Sequence, residues 1–320
     1  MMNFIFLWML GLSILMSMSS SSWFSFWLSM EINMMMFIPL MNSKNFLSCN
    51  SMINYFIIQS LASSMFLFSS ILFFSLKITL FYNIIILSIL IKLAAAPFHM
   101  WFPQISENIS YKSFFLLSTI QKIIPLQILS VFNNNKIILF IVLSATLGTL
   151  GGFNQISLRK ILAFSSISHL AWMMTLIMIN QFYWIIYFMM YFFILLKIII
   201  FLKMNFINTI NNFYTKNLLP MNKFQLFSTF MSLGGLPPFM GFFMKLLSII
   251  LIINKMPFIL VILILSSLGN LYFYSRILFP LVLSYNAMVK NYNVFSINST
   301  TFFLINMTMF IMLLPWVKLL

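Results

Sequence analysis

The chain has 320 residues, 62% of them apolar and only 6% charged, with a mean hydropathy of +1.07. A soluble domain carries about 25% charged residues, so a soluble globular fold is excluded. The net charge of +15 is not a nucleic-acid signature: no basic patch with interleaved aromatics exists, and most lysines stand singly at the ends of apolar runs, where they face headgroups.

A bilayer-spanning helix needs about 20 apolar residues. That rule predicts an all-α polytopic membrane protein with eleven segments, at roughly 3–20, 22–41, 51–76, 78–102, 112–132, 136–153, 160–180, 182–204, 223–253, 257–280 and 300–318. Met1 to Ser20 has the look of a secretory signal, but no Lys or Arg precedes its apolar run and no A-x-A site follows, so it reads as a retained first helix. Connections such as Asn42 to Asn50, Asn133 to Lys136 and Asn205 to Asn222 are short and polar. No linker divides the chain, and 1–320 reads as a single transmembrane domain. The lone Cys49 rules out a disulfide framework or a multi-cysteine metal site, and no metal is expected. The bias toward Ile, Phe, Met, Asn and Lys suggests an AT-rich genome, and 28 methionines fit a code that reads ATA as Met, as animal mitochondria do.

Segments 4 and 9 are interrupted. Leu90 to Pro103 reads L-I-K-L-A-A-A-P-F-H-M-W-F-P, and Ser232 to Lys245 reads S-L-G-G-L-P-P-F-M-G-F-F-M-K. Proline removes a backbone donor and clashes with the preceding turn, so each helix must open there. Opened backbone at membrane depth survives only where protein or a hydrated cavity covers it, and a matched pair of interrupted segments points to a transport site. The two lie five segments apart, an odd number, so segments 1–5 (about 3–132) and 6–10 (about 136–280) read as an inverted repeat, with the helix at about 300–318 appended. The shared P-F of Pro97-Phe98 and Pro238-Phe239 is a trace of that symmetry.

If the N-terminus and the loops after even-numbered segments share a side, that side holds Lys44, Lys112, Arg159, Lys160, Lys203, Lys216, Lys223, Arg276 and Lys290. The other side holds Lys77, Lys136, Lys255 and Lys318. The positive-inside rule then puts the N-terminus inside, which in a mitochondrion means the matrix, and the C-terminus outside.

Glu31 and Lys122 fall near the middles of segments 2 and 5, and Lys92 and Lys245 flank the two breaks. A charge at that depth costs on the order of 2.5–3.5 kcal/mol and normally faces the bundle interior and a partner. The functional reading is a proton path; the alternative is a structural ion pair or a snorkelling side chain. A lysine whose acid partner approaches and retreats can load and release a proton. Asp is absent, and Glu31 and Glu107 are the only acids, so Glu31–Lys92 is the predicted switching pair. Lys245 has no in-span acid, and its counter-charge is expected from a neighbouring subunit, lipid or water. Lys197, near the end of segment 8, reads as snorkelling. His99 and His169 are either proton relays or packing histidines, and Glu107 reads as a loop residue that caps or faces solvent. There is no G-x-G-x-x-G, CxxC pair, P-loop or two-helix histidine arrangement for haem, so if the chain serves a redox enzyme the electron chemistry lies elsewhere.

Several runs, taken together, are specific: M-E-I-N at Met30 to Asn33, F-I-P-L at Phe37 to Leu40, A-A-P-F-H-M-W-F-P at Ala95 to Pro103, and Q-K-I-I-P at Gln121 to Pro125. They continue with G-G-F-N-Q-I-S-L-R-K-I-L-A-F-S-S-I-S-H-L at Gly151 to Leu170 and S-L-G-G-L-P-P-F-M-G-F at Ser232 to Phe242. In this order the chain resembles the subunit 2 family of mitochondrial NADH:ubiquinone oxidoreductase (respiratory complex I) of an insect-like animal, an antiporter-like family. The resemblance implies inverted five-helix repeats, eleven helices and a matrix-facing N-terminus in the mitochondrial inner membrane. It implies that Glu31 and Lys92 form the buried acid–lysine pair, that Lys122 is the central lysine, and that Lys245 is the lysine of the second broken helix. The implied function is proton translocation coupled to electron transfer from NADH to ubiquinone. FMN, iron–sulfur clusters and quinone would act elsewhere in the complex and no cofactor would bind this chain. The implied partners are other membrane-arm subunits, subunit 4 and subunit 4L among them, accessory subunits and phospholipids. The chain departs from the family at Ala94, where glycine is usual, at Ile120 in place of Trp, and at Met244 to Leu246, where M-K-L replaces P-K-W. All three change the packing around a lysine and keep the lysine. A stand-alone cation/proton antiporter and a structural subunit without a pumping role are the rival readings.

Overall fold

The computed structural model describes residues 2–43, 45–132, 136–180, 182–215 and 220–283. All the named elements are helices: α1 (Met2–Ser19), α2 (Trp23–Met41), α3 (Phe46–Leu76), α4 (Thr79–Leu93), α5 (Trp101–Asn108), α6 (Tyr111–Ser118), α7 (Ile120–Val131), α8 (Ile137–Gly152), α9 (Leu158–Ile179), α10 (Tyr183–Met204), α11 (Asn212–Thr215), α12 (Pro220–Gly234), α13 (Met240–Ile253) and α14 (Pro257–Leu283). The protein is an all-helical membrane protein. Among the described residues six spans are long and apolar enough to cross a bilayer on their own: Trp23–Met41, Phe46–Leu76, Tyr111–Val131, Leu158–Ile179, Tyr183–Met204 and Pro257–Phe279. Six rather than eleven meet that measure because segments 4 and 9 are split, α1 and α8 are short, and the eleventh segment falls beyond the described residues. Segment 11 at about 300–318, together with Lys44, Lys216, Lys290 and Lys318, lies outside the described residues.

Three boundaries differ from the sequence expectation. Segment 3 begins earlier, at Phe46, because Ser48 and Ser51 satisfy their hydroxyls on the carbonyls of Asn45 and Ser48, both at 2.7 Å, and so continue the helix. Segment 5 is not continuous. It breaks at Thr119 (φ −120°, ψ −79°), whose Oγ1 donates to the Phe115 carbonyl at 2.6 Å, so Lys122 starts a new helix in its first turn. After the first break the chain resumes as α5 and runs to Asn108, which puts the exposed Glu107 on a helix rather than in a loop.

The chain divides into two compact units, Met1–Ser144 and Ala145–Leu320. Within the first, α1 packs on α2, α2 on α3 and α3 on α4, while α7 touches α1, α2 and α4. Gln127 ties α7 to α1: its Nε2 donates to the Ser17 carbonyl at 2.8 Å and its Oε1 accepts from the Ser17 hydroxyl at 2.9 Å. Thus α7, which carries Lys122, sits among its neighbours rather than at the rim.

In the second unit α9 is the central helix, buried from Leu158 to Met178 apart from a few partly exposed positions at its start, against α10, α13 and α14. A helix apolar all round belongs inside, and small residues let it pack closely. A Cβ added to Gly148 of α8 would stand 2.8 Å from the Ser168 amide nitrogen, so the two helices meet at backbone range. One face of this unit gathers the α8–α9 and α10–α11 connections, joined by an antiparallel bridge of Ser157 with Thr209. The Arg276 guanidinium of α14 donates to the carbonyls of Phe153 and Gln155 on the same face. Lys255, which follows α13, instead donates to Ile179 at the far end of α9, at 3.2 Å.

Candidate functional site

Both breaks are closed by the same hydrogen bonds. At the end of α4, the Ala94 N–H reaches the Ile91 carbonyl at 3.1 Å and the Ala95 N–H reaches that of Leu90 at 3.0 Å. At the end of α12, the Gly235 N–H reaches Ser232 at 3.1 Å and the Leu236 N–H reaches Met231 at 3.2 Å. Each is a Schellman closure, which requires a left-handed residue after the cap. Ala94 takes that role at φ 58° and Gly235 at φ 80°. Both turns contain a cis X–Pro bond, Ala96–Pro97 and Pro237–Pro238. Trp101, the first residue of α5, adds an indole N–H to the Ile91 carbonyl at 3.3 Å.

Lys92 and the Lys245 ammonium lie at the C-terminal ends of the broken half-helices α4 and α12, where unpaired carbonyls carry partial negative charge. Lys92 lies in the last turn of α4. Lys245 sits on α13 but its Nζ reaches back across the break to the Gly234 carbonyl at 2.6 Å. Two glycines permit this. A Cβ on Gly235 would come within 2.6 Å of Lys245 Cδ, and one on Gly241 within 1.4 Å of the Ser232 carbonyl oxygen. The Lys245 ammonium thus has a hydrogen-bond partner in the chain's own backbone, a dipole and not a counter-charge.

Lys92, Lys122 and Lys245 are all buried, at 7%, 2% and 6% exposure. Glu31 is half-buried on α2 and interacts electrostatically with Lys92 without a direct ion pair. The Lys122 ammonium lies 4.7 Å from the centre of the Phe102 ring, a cation–π contact with the helix that follows the first break. Lys92 and Lys122 line one small cavity of about 10 Å³ with Tyr55, Gln59, Trp101, Phe102 and Gln121. A neighbouring cavity of similar size is lined by Lys92, Asn33, Tyr55, Gln59 and Gln121 among others. The structure thus brings Lys92 together with Lys122, and sets Lys245 at the second break in the other unit. Lys197 is half-buried on α10. Among the described residues no three His, Cys, Asp or Glu side chains gather as metal ligands would.

The histidines are both buried. His99 lies in the turn of the first break, with Nδ1 3.2 Å from the Pro97 carbonyl. His169 Nδ1 is 2.8 Å from the Tyr187 hydroxyl, and its ring lies 5.1 Å from that of Tyr191. With Tyr274, which interacts electrostatically with both tyrosines, they form a buried His–Tyr cluster on α9, α10 and α14. Sequence reasoning did not single out these tyrosines, nor Tyr55, Gln59 and Gln121. The signal was present as polar residues four apart, Tyr55 with Gln59 and Tyr187 with Tyr191, which share a helix face.

Residues 20–269 match the transmembrane family described as NADH:quinone oxidoreductase/Mrp antiporter. The chain belongs to that family. The matched stretch of this antiporter-family chain contains both breaks and Glu31, Lys92, Lys122 and Lys245. It is 42% identical over 305 residues to NADH-ubiquinone oxidoreductase chain 2 of Anopheles gambiae, covering 91% of this chain and 87% of the relative. It is also 42% identical over 295 residues to the corresponding chain of Rhipicephalus sanguineus, covering 89% and 94%. Its antiporter-family fold is shared with a chain of respiratory complex I from Thermus thermophilus, with TM-score 0.81 at 19% identity over 98% of this chain and 77% of that one. A chain of the Mrp complex from Dietzia gives TM-score 0.74 at 16% identity over 84% and 58%.

Proposed function

We propose that this chain is a proton-translocating membrane-arm subunit of respiratory complex I, set in the mitochondrial inner membrane with its N-terminus in the matrix and its C-terminus toward the intermembrane space. The observation that carries the reading is the burial of three lysines beside helix discontinuities in a chain of this family. Buried cations at such depth are costly and mark ion paths. The identical closures at Ala94 and Gly235 favour the inverted five-helix repeat, with eleven helices in the whole chain. The gathering of the loops after α8 and α10 with Arg276 on one face of the second unit agrees with the even-numbered loops sharing a side.

In this mechanism energy from quinone reduction elsewhere in the complex separates Glu31 from Lys92. Lys92 then releases its proton toward Lys122, and the charge travels on to Lys245. There the Gly234 carbonyl receives the ammonium form, and loss of that hydrogen bond accompanies release of the proton to the exit. NADH, FMN, iron–sulfur clusters and ubiquinone serve other chains of the complex. The neighbours are membrane-arm subunits such as subunits 4 and 4L, accessory subunits and phospholipids.

The test replaces Glu31 with Gln or Lys92 with Met and measures protons pumped per electron in the assembled complex. A lowered ratio is expected in both. An unchanged ratio would refute the role of the pair. Co-migration of the chain with NADH dehydrogenase activity on a native gel separates this reading from a stand-alone antiporter.

A further inference from the structure

Two cavities of about 10 Å³ each adjoin Lys92, one of them lined by Lys122 as well, and Tyr55, Gln59, Lys92 and Gln121 line both. That volume is about the minimum that holds one water, provided two to four polar groups surround it. The walls meet the condition. Gln59 is 5% exposed and makes no hydrogen bond with another described residue. An amide so buried needs a partner, and its carbonyl and NH2 can accept and donate together. Gln121 is differently placed. Its Nε2 donates to Asn33 Oδ1 at 2.6 Å and its Oε1 accepts from the Tyr55 hydroxyl at 3.0 Å, so its amide plane is pinned at both ends.

We propose that Gln59 and Gln121 position bridging water between Lys92 and Lys122, Gln59 as the amide that binds the water directly and Gln121 as the wall that Asn33 and Tyr55 hold in a fixed orientation. The inference rests on the proton-translocating reading and deepens it. A proton leaves Lys92 Nζ as one N–H breaks and one O–H forms on the first water. That water gives up a different proton to the next oxygen, and the last hop forms an N–H on Lys122 Nζ. The net change is one proton lost by Lys92 and one gained by Lys122, with each water as it was. Neither amide gains or loses a proton. Tyr55 acts through Gln121 and not on the water, because its hydroxyl proton is committed to Gln121 Oε1.

The test uses the assembled complex in proteoliposomes, with Gln59→Met, Gln121→Met, Tyr55→Phe and the double variant Gln121→Met with Tyr55→Phe, normalised to assembled enzyme on a native gel. Losing one oriented hydrogen bond should slow proton delivery about 3- to 10-fold and lower the protons delivered per electron toward the level of Lys122→Met. Gln59→Asn, whose amide is one methylene shorter, should recover part of the loss. Tyr55→Phe should add nothing on top of Gln121→Met, since groups acting in series are not additive. A solvent deuterium isotope effect larger than in the parent protein should accompany each slow variant, a readout that a packing role would leave alone. Parent ratios in both Gln59→Met and Gln121→Met overturn the inference. If Lys122→Met itself pumps normally, the proton-translocating reading falls as well, and the two failures are distinguishable. If Gln59→Met does not assemble, Gln121→Met and Tyr55→Phe decide.

Discussion

The Lys245 ammonium donates to the Gly234 carbonyl at 2.6 Å, so the lysine that follows the second break is held by the helix that precedes it. The break supplies the acceptor as well as the room. Ending α12 at Gly234 leaves its last carbonyls without intrahelical donors, and the absence of a side chain at Gly235 lets the lysine stem pass within contact distance of the backbone.

Gly235→Ala should therefore displace Lys245. The added methyl would press on Lys245 Cδ and Cε, at 2.6 and 2.9 Å, and the left-handed φ of 80° costs an alanine about 1–2 kcal/mol. Proton pumping per electron should fall while the complex still assembles. Pumping at the parent ratio would show that the Lys245–Gly234 contact is incidental.

Ala94 already occupies the equivalent left-handed position at φ 58°. Ala94→Gly relieves that strain, but it removes a fully buried methyl and loosens the unfolded chain. The strain is worth about 1–2 kcal/mol and the methyl and the chain entropy about 0.5–1 kcal/mol each, so the gain and the two losses nearly offset. Thermal unfolding of the assembled protein should shift little with Ala94→Gly. Ala94→Val should cost about 2 kcal/mol or more, because a β-branched residue is a far poorer left-handed residue.

Gly241→Ala should not be tolerated. Its methyl would lie 1.4 Å from the Ser232 carbonyl oxygen, which is backbone and cannot swing aside. Forcing α12 and α13 apart at their crossing should cost about 3 kcal/mol or more. The expected readout is loss of assembled protein on a native gel, and normal assembly would contradict the close crossing.

Tyr187→Phe separates the two roles open to His169. Removing the hydroxyl deprives the buried Nδ1 of its 2.8 Å partner and should cost about 1–3 kcal/mol of stability in either case. A relay histidine would also lose proton-pumping rate at matched assembly, whereas a packing histidine would not.

Much of this could be read from the chain. Pro97, Pro237 and Pro238 announced the two breaks because a missing N–H acts locally and is visible in one dimension. The positions of Lys92, Lys122 and Lys245 within their apolar runs followed from counting residues. The kink at Thr119 did not, since no proline or glycine marks it and a threonine that bonds the Phe115 carbonyl resembles any other helical threonine. Asn33, Tyr55 and Gln121 look unrelated in sequence, 88 residues separating the first from the last. Only the packing of α2, α3 and α7 brings them together. The partner of Lys245 was hidden for a different reason. It is a main-chain carbonyl, and every residue has one.

The enclosure of α9 bears on how the second unit is built. Apart from α8, its packing partners α10, α13 and α14 come later in the chain, so when α9 leaves the ribosome most of its permanent surroundings have not been made. It is apolar enough, with a mean hydropathy of 1.7 over its best window, to enter the bilayer unaided. Its hydroxyls are already satisfied within the helix, as when Ser165 and Ser166 donate to Leu162 and Ala163. The newly inserted helix can thus wait among lipids with its hydroxyls paired, although His169 meets Tyr187 only when α10 arrives, and later exchange acyl chains for protein as each following helix arrives. Biogenesis of this unit is a matter of displacing lipid from a helix already formed.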